Sequence, residues 1–179
     1  MKLTEDEARR TAWVDNALKR HEGPLIRYAA GITGNLDLAR DVVQDTFLRL
    51  CVARRGDMED HLAAWLYTVC RNRALDVRKK EGRMEPLRED AAAACADGGA
   101  SPSSVAARNE THDLLLETLN TLPADQREAF RLKFQDGLTY REITQVMGKS
   151  LGSVSTLITT ALNTMRHRLR ATIDLAQEG

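Results

Sequence analysis

The chain has 179 residues, of which 42% are hydrophobic and only 4% aromatic; that mix suits helices packed through Leu, Ala, Val and Ile and argues against a β-sandwich core. Its 26 basic and 26 acidic side chains cancel, so no whole-molecule positive field draws it to nucleic acid. The cysteines Cys51, Cys70 and Cys95 lie far apart with no Cys-x-x-Cys pair, which argues against a disulfide framework and fits a reducing cytosol.

The cancelled charge is unevenly spread. Residues 1–80 carry 15 basic and 12 acidic side chains, residues 81–110 carry 3 and 6, and residues 111–179 carry 8 of each. The start, Met1 to Glu7, is polar and offers no secretory apolar stretch. No apolar run approaches membrane-spanning length.

In chain order, Leu25, Tyr28, Ala29 and Ile32 recur at helical spacing, and Gly34 suits the stop. A second helix is predicted from Leu36 to Val52, with Leu38, Val42, Val43, Phe47 and Leu50 as its apolar side. Arg54 and Arg55 favour its carboxyl end, and Gly56 can terminate it. After the loop Gly56 to Asp60, a third helix is predicted from Leu62 to Lys80, with Leu62, Leu66, Val69 and Val77 as its inner stripe. Cys51 and Cys70 sit in apolar helical stretches and read as small core residues, and Trp65 reads as core. Residues 81–110, with Gly98-Gly99 and Ser101-Pro102 and few large apolar residues, read as a flexible, mildly acidic linker.

Leu114, Leu115, Leu119 and Leu122 open a second helical module. Pro123 suits a helix's first turn, and a helix is predicted from Ala124 to Gln135 with Gly137 at its end. Thr139-Tyr140-Arg141-Glu142 has the capping-box pattern and opens a short helix with Ile143, Val146 and Met147 on one side. Gly148-Lys149-Ser150 turns the chain into a helix from Leu151 that buries Val154, Leu157, Ile158, Ala161, Leu162 and Met165. Two helices joined by a tight glycine-containing turn form a helix-turn-helix signal. The prediction is an all-α protein: an N-terminal helical bundle over 1–80, the linker over 81–110, and a helix-turn-helix four-helix domain over 111–179.

Three surfaces carry chemistry. The outward positions of the last helix, Ser153, Ser155, Thr156, Thr159, Thr160 and Asn163, are all capable of hydrogen bonding, and none is basic. Tyr67, Arg71 and Arg78 share a side of the third helix, with Asn72 and Lys79 beside them; arginine grips phosphate, asparagine reads a base edge, and an aromatic ring stacks on an unpaired base. Asp41, Gln44, Asp45 and Arg49 face away from the apolar side of the second helix. Taken alone, the last two faces are ordinarily solvated helix surface. His21, His61, His112 and His167 have no ligand-like spacing, and no glycine-rich phosphate loop is present, so neither a metal or other cofactor nor catalysis is expected.

Leu25 to Ile32 followed by Ala39 to Leu50, then Ala64 to Asp76, then Leu119 to Arg127 with Tyr140 to Ile143 and the helix after it, resemble in that order the extracytoplasmic-function (ECF) sigma factors of bacterial RNA polymerase. The resemblance covers roughly 12–80 and 111–172. It implies a non-enzymatic cytoplasmic protein that binds core RNA polymerase and promoter DNA, with an anti-sigma protein as a further partner and no small-molecule substrate. It implies a polymerase interface at Asp41, Gln44, Asp45, Phe47 and Leu48, and contacts to the −10 element from Arg54, Arg55, Asp57, Met58, His61, Tyr67, Arg71, Asn72, Arg78 and Lys79. It implies −35 contacts from Ser153, Ser155, Thr156, Thr159, Thr160 and Asn163, with Arg141, Lys149 and Arg166. One departure stands out: recognition helices of the family usually carry Lys or Arg among their outward positions, and none lies between Ser150 and Met165 here. A stand-alone helix-turn-helix regulator and a polymerase-binding adaptor that scarcely reads DNA are the alternatives.

Overall fold

The computed structural model describes residues 5–53, 58, 61–82 and 115–177, and among them every regular element is helical. In chain order these are α1 (Glu5–Thr33), α2 (Leu36–Val52) and α3 (Leu62–Glu81), a short α4 over 115–120, then α5 (Ala124–Phe134), α6 (Tyr140–Met147) and α7 (Leu151–Gln177). The chain divides into two compact units, the first carrying α1 to α3 and the second α4 to α7. Beyond Glu81 and Gly82, which close α3, the expected linker lies outside the described residues.

The first unit is a three-helix bundle in which α1 packs on both α2 and α3. Its core joins Leu25, Tyr28 and Ala29 to Val42, Val43, Phe47 and Leu50 and to Leu66, Tyr67, Cys70 and Ala74. Tyr28 and Tyr67 meet edge to face at 5.1 Å, the arrangement that sets a ring's positive edge against its partner's negative face. The buried Thr46 hydroxyl donates to the Val42 carbonyl at 2.8 Å, which offsets its desolvation.

The helix ends follow local chemistry. Gly34 adopts φ 70°, which releases the chain from α1. Asn35 then caps α2, its Oδ1 accepting from the Asp37 and Leu38 amides at 2.8 and 3.1 Å. The Arg10 guanidinium donates to the Cys51 and Ala53 carbonyls, the latter at 2.8 Å, and so places positive charge on the free carbonyls at the end of α2. α1 runs 29 residues and passes through Pro24, much further than the stretch around Leu25 to Ile32 predicts. The proline removes one backbone bond, yet Ala17 and Leu25 lie on the same buried side and hold the helix on the bundle across it.

The inner stripe of α3 is rotated from the expected one: Ala64, Leu66, Tyr67, Cys70 and Ala74 are buried, whereas Leu62, Val69 and Val77 are half-buried and Trp65 is only half-covered. Cys70 is core as expected, but Cys51 is exposed.

In the second unit α5 packs on α6 and α7, and α6 on α7. Leu119, Leu122, Ala161 and Met165 form one cluster against Phe130. Thr139 and Glu142 make the capping box: Thr139 Oγ1 accepts from the Glu142 amide at 3.3 Å and Glu142 Oε2 accepts from the Thr139 amide at 2.7 Å. Gly148 closes α6 at φ 63°, a conformation that favours glycine. Of the residues expected to be buried on α7, Val154, Ile158, Ala161 and Met165 are, while Leu157 and Leu162 are half-buried.

Thr139→Ala removes the cap and is expected to cost about 1 kcal/mol, read as a lower urea midpoint for the second unit; an unchanged midpoint contradicts the role of the capping box. Half-buried His21 has its pKa held below 6.5, first because burial penalises the imidazolium and second because Arg20 repels it. The unfolded chain therefore takes up this proton more readily, so the stability that neutral His21 contributes is lost as pH falls through 6.5 towards the folded value. His21→Gln is expected to shrink the drop in urea midpoint between about pH 7.5 and about pH 5.5, and an undiminished drop contradicts it.

Candidate protein-docking and nucleic-acid faces

On α2, the burial of Ala39, Val42, Val43, Thr46, Phe47 and Leu50 fixes what faces outward. Asp41, Gln44 and Leu48 are exposed along one line of the helix, which continues one turn on to Val52. Leu48 and Val52 are large apolar side chains left 59% and 81% in water, and paired apolar groups beside carboxylates mark a surface suited to a protein partner. Val52 was not expected there; its spacing of four from Leu48 is the signal in the sequence. Phe47, expected on this face, is 5% exposed and belongs to the core.

Asp45 is half-covered and already engaged. Its Oδ2 lies 2.9 Å from Nε of Arg73 on α3 and 3.5 Å from a terminal nitrogen of Arg49 one turn along α2. The Arg73 contact is an ion pair without hydrogen-bond alignment, so its worth is mainly Coulombic. Asp45 thereby ties α2 to α3 while keeping one flank in solvent. Arg73→Ala is expected to destabilise the first unit by about 0.5–1 kcal/mol at low salt and by less at high salt; a loss that is independent of salt contradicts a Coulombic role.

On α3 the buried stripe turns Trp65, Asn72, Asp76 and Lys79 to the opposite side, with Arg78 beside them. Asn72, Leu75, Asp76, Arg78 and Lys79 line a shallow recess along the helix. Arg71 is half-buried and has a partner of its own. Tyr67, expected to be a surface ring, is 2% exposed and inside the bundle; Trp65 is the aromatic on the outer side. Before α3, Met58 is buried at 7% exposure rather than offered to a ligand, and its carbonyl accepts from the His61 amide at 3.1 Å. His61 is exposed at the N-cap of α3 without a capping bond. Arg54, Arg55 and Asp57 lie outside the described residues.

On α7, Ser153, Ser155, Thr156, Thr159, Thr160, Asn163 and Arg166 are all exposed. The helix begins on a serine pair, with Ser150 Oγ accepting from the Ser153 amide at 3.2 Å and lying 2.8 Å from Ser153 Oγ. Lys149, in the turn, is half-buried and paired with Asp125 of α5 at 3.0 Å, while Arg141 stands exposed on α6. Among the described residues no group of His, Cys, Asp or Glu is arranged to hold a metal ion, and no helix is long and apolar enough to cross a membrane.

A three-helix bundle with one polar-apolar face and one basic, amide-bearing face, followed by a helix-turn-helix unit, is an architecture suited to joining a protein partner to DNA. Comparison with known proteins narrows it. Sigma-70 region 2 matches residues 17–84 and sigma-70 region 4 matches residues 112–165. The chain is 31% identical over 146 residues to the ECF RNA polymerase sigma factor EcfG of Rhodopseudomonas palustris, covering 77% of this chain and 75% of that one. It is 30% identical over 157 residues to the ECF RNA polymerase sigma factor SigE of Mycolicibacterium smegmatis, covering 87% of this chain but 60% of that longer protein. Among solved structures it is similar to the sigma factor RpoE of Bartonella quintana, solved with the anti-sigma factor NepR, at a TM-score of 0.68 and 25% identity over 87% of this chain and 96% of that one. The chain belongs to the ECF RNA polymerase sigma factors.

Proposed function

We propose that this chain directs core RNA polymerase to promoters and helps open them, with no catalysis of its own and acting in the cytoplasm. The observation that carries the reading is the pair of exposed faces, on α2 and on α3 of one small bundle, joined in the same chain to a helix-turn-helix unit. The α2 face of Asp41, Gln44, Asp45, Leu48 and Val52 docks on the polymerase, its apolar pair supplying buried area and its carboxylates selecting a basic partner surface. Asn72, Arg78 and Lys79, with His61 and Arg71 at their flanks, take the −10 region, where cations hold phosphates and the amide meets a base edge. Trp65 on the same side offers a stacking surface to an unpaired base. The exposed positions of α7, from Ser153 to Asn163, read the −35 element, with Arg141, Lys149 and Arg166 on phosphates. An anti-sigma protein is a further partner: a relative of similar fold was solved bound to one, and covering the α2 face would block polymerase docking.

The experiment is assembly of the purified chain with sigma-free core polymerase followed by transcription on fragmented genomic DNA. Discrete start sites support the reading; core binding without transcripts favours the adaptor, and DNA binding without core affinity favours the stand-alone regulator. Leu48→Arg is expected to weaken core binding by about tenfold or more, as burial of an unpaired cation in an apolar contact requires. Asn72→Ala with Lys79→Ala is expected to leave core binding intact and to slow open-complex formation. Equal loss of both activities in either variant contradicts the division of faces.

A further inference from the structure

The −35 reading leaves open what sequence this helix prefers, and α7 carries the answer in what it offers and what it lacks. Opposite the buried line Val154, Ile158, Ala161 and Met165, the exposed side runs through Gly152, Thr156, Thr159, Thr160 and Asn163. No Lys or Arg occurs between Ser150 and Met165. In the major groove a guanine is taken by arginine or lysine on its N7 and O6, an adenine by asparagine on N6 and N7, and a thymine by apolar contact with its methyl group. Between Ser150 and Met165 the guanine reader is missing from this face; Lys149 before it is paired with Asp125 and Arg166 follows one turn after Asn163, while the adenine reader and the thymine-methyl contacts lie within it.

The local hydrogen bonds sharpen the choice. The Thr156 hydroxyl donates to the Gly152 carbonyl at 2.9 Å, which leaves its methyl as the group free to meet a partner. Ser153 is engaged with Ser150. Among the described residues no hydrogen bond engages the side chains of Thr159, Thr160 or Asn163, so the Asn163 side-chain amide is free to pair in two directions at once.

Gly152 supplies the second observation. Its φ is not in the left-handed region, and a Cβ added there meets nothing within 4 Å, so the fold does not require glycine. Glycine weakens a helix relative to alanine, and it stands at the centre of the exposed side. Threonine and asparagine reach less far than arginine, so a helix that reads bases through them must sit deeper in the groove, and a missing Cβ permits that approach.

We infer that the −35 element of this factor is read as A·T pairs, with Asn163 on an adenine, threonine methyls on thymines, and Gly152 as the position of closest approach. This rests on the reading that α7 enters the −35 major groove. Lys149, Arg141 and Arg166 serve phosphates at the edges of the contact.

The test starts from a promoter recovered by genomic transcription with the full chain and core polymerase. Its −35 hexamer is randomised with the rest held fixed, and the transcripts are sequenced. Expected is enrichment of consecutive A·T pairs with no position fixed as G·C. A fixed G·C pair, or no −35 preference beside intact −10 dependence, overturns the inference while leaving the sigma function standing. Failure to obtain any genomic transcript strikes the sigma reading itself, and this inference with it. Asn163→Ala is expected to relax discrimination at one adenine by about tenfold with an unchanged thermal midpoint; uniform loss across all templates overturns base reading by Asn163. Gly152→Ala is expected to hold or raise the thermal midpoint while lowering −35-dependent transcription severalfold, and unchanged transcription overturns the close approach.

Discussion

A helix twenty residues long in a three-helix bundle can bury only one stripe, and on α3 that stripe is Ala64, Leu66, Tyr67, Cys70 and Ala74. Every surface property of the first unit follows from it. Once Tyr67 sits edge-on to Tyr28 in the core, the helix rotation is set, and Trp65, Asn72, Asp76 and Lys79 have to face outward. Burying a tyrosine ring of this size is worth on the order of 2 kcal/mol or more, far above the few tenths of a kcal/mol that an exposed polar side chain gains from any one orientation. The core therefore decides where the proposed nucleic-acid face lies.

The α2 helix obeys the same constraint from the other side. Its buried line takes Phe47 inward and leaves Leu48 and Val52 in water, next to Asp41 and Gln44. Asp45 sits where α2 meets α3 and is shared between Arg49 and Arg73. A partially screened ion pair of this kind adds little net stability, but it couples the two faces: a partner that competes for Asp45 also frees Arg73. The proposed polymerase face on α2 and the proposed DNA face on α3 are thus joined by a short physical path, through two side chains.

Much of this was legible from the sequence. The span Leu36–Val52 of α2 was read directly from apolar spacing and is the span observed. The capping box at Thr139 and Glu142 and the glycine turn at Gly148 were equally direct, because each is dictated by local backbone chemistry. What sequence spacing did not fix was rotation. On a helix, neighbours in sequence lie about 100° apart, so choosing Leu62, Leu66, Val69 and Val77 as the inner line of α3 put Tyr67 on the surface and Trp65 inside; tertiary packing chose otherwise. Apolar spacing puts Phe47 on the inner side of α2, where it lies; only the family resemblance assigned it to the docking face. The length of α1 is not announced by the apolar repeat from Leu25 to Ile32, because its first half buries little more than Ala17. The clasp of Arg10 on the end of α2 joins residues 41 and 43 positions apart in sequence, and no local pattern announces it.

The proposed division of one bundle into a polymerase face on α2 and a DNA face on α3 can be read by placing a photo-crosslinking residue at Gln44 or at Asn72 in holoenzyme bound to a promoter. Position 44 is expected to crosslink to a polymerase subunit and position 72 to promoter DNA in the −10 region. Crosslinks from position 72 to polymerase alone, or from position 44 to DNA, would contradict it.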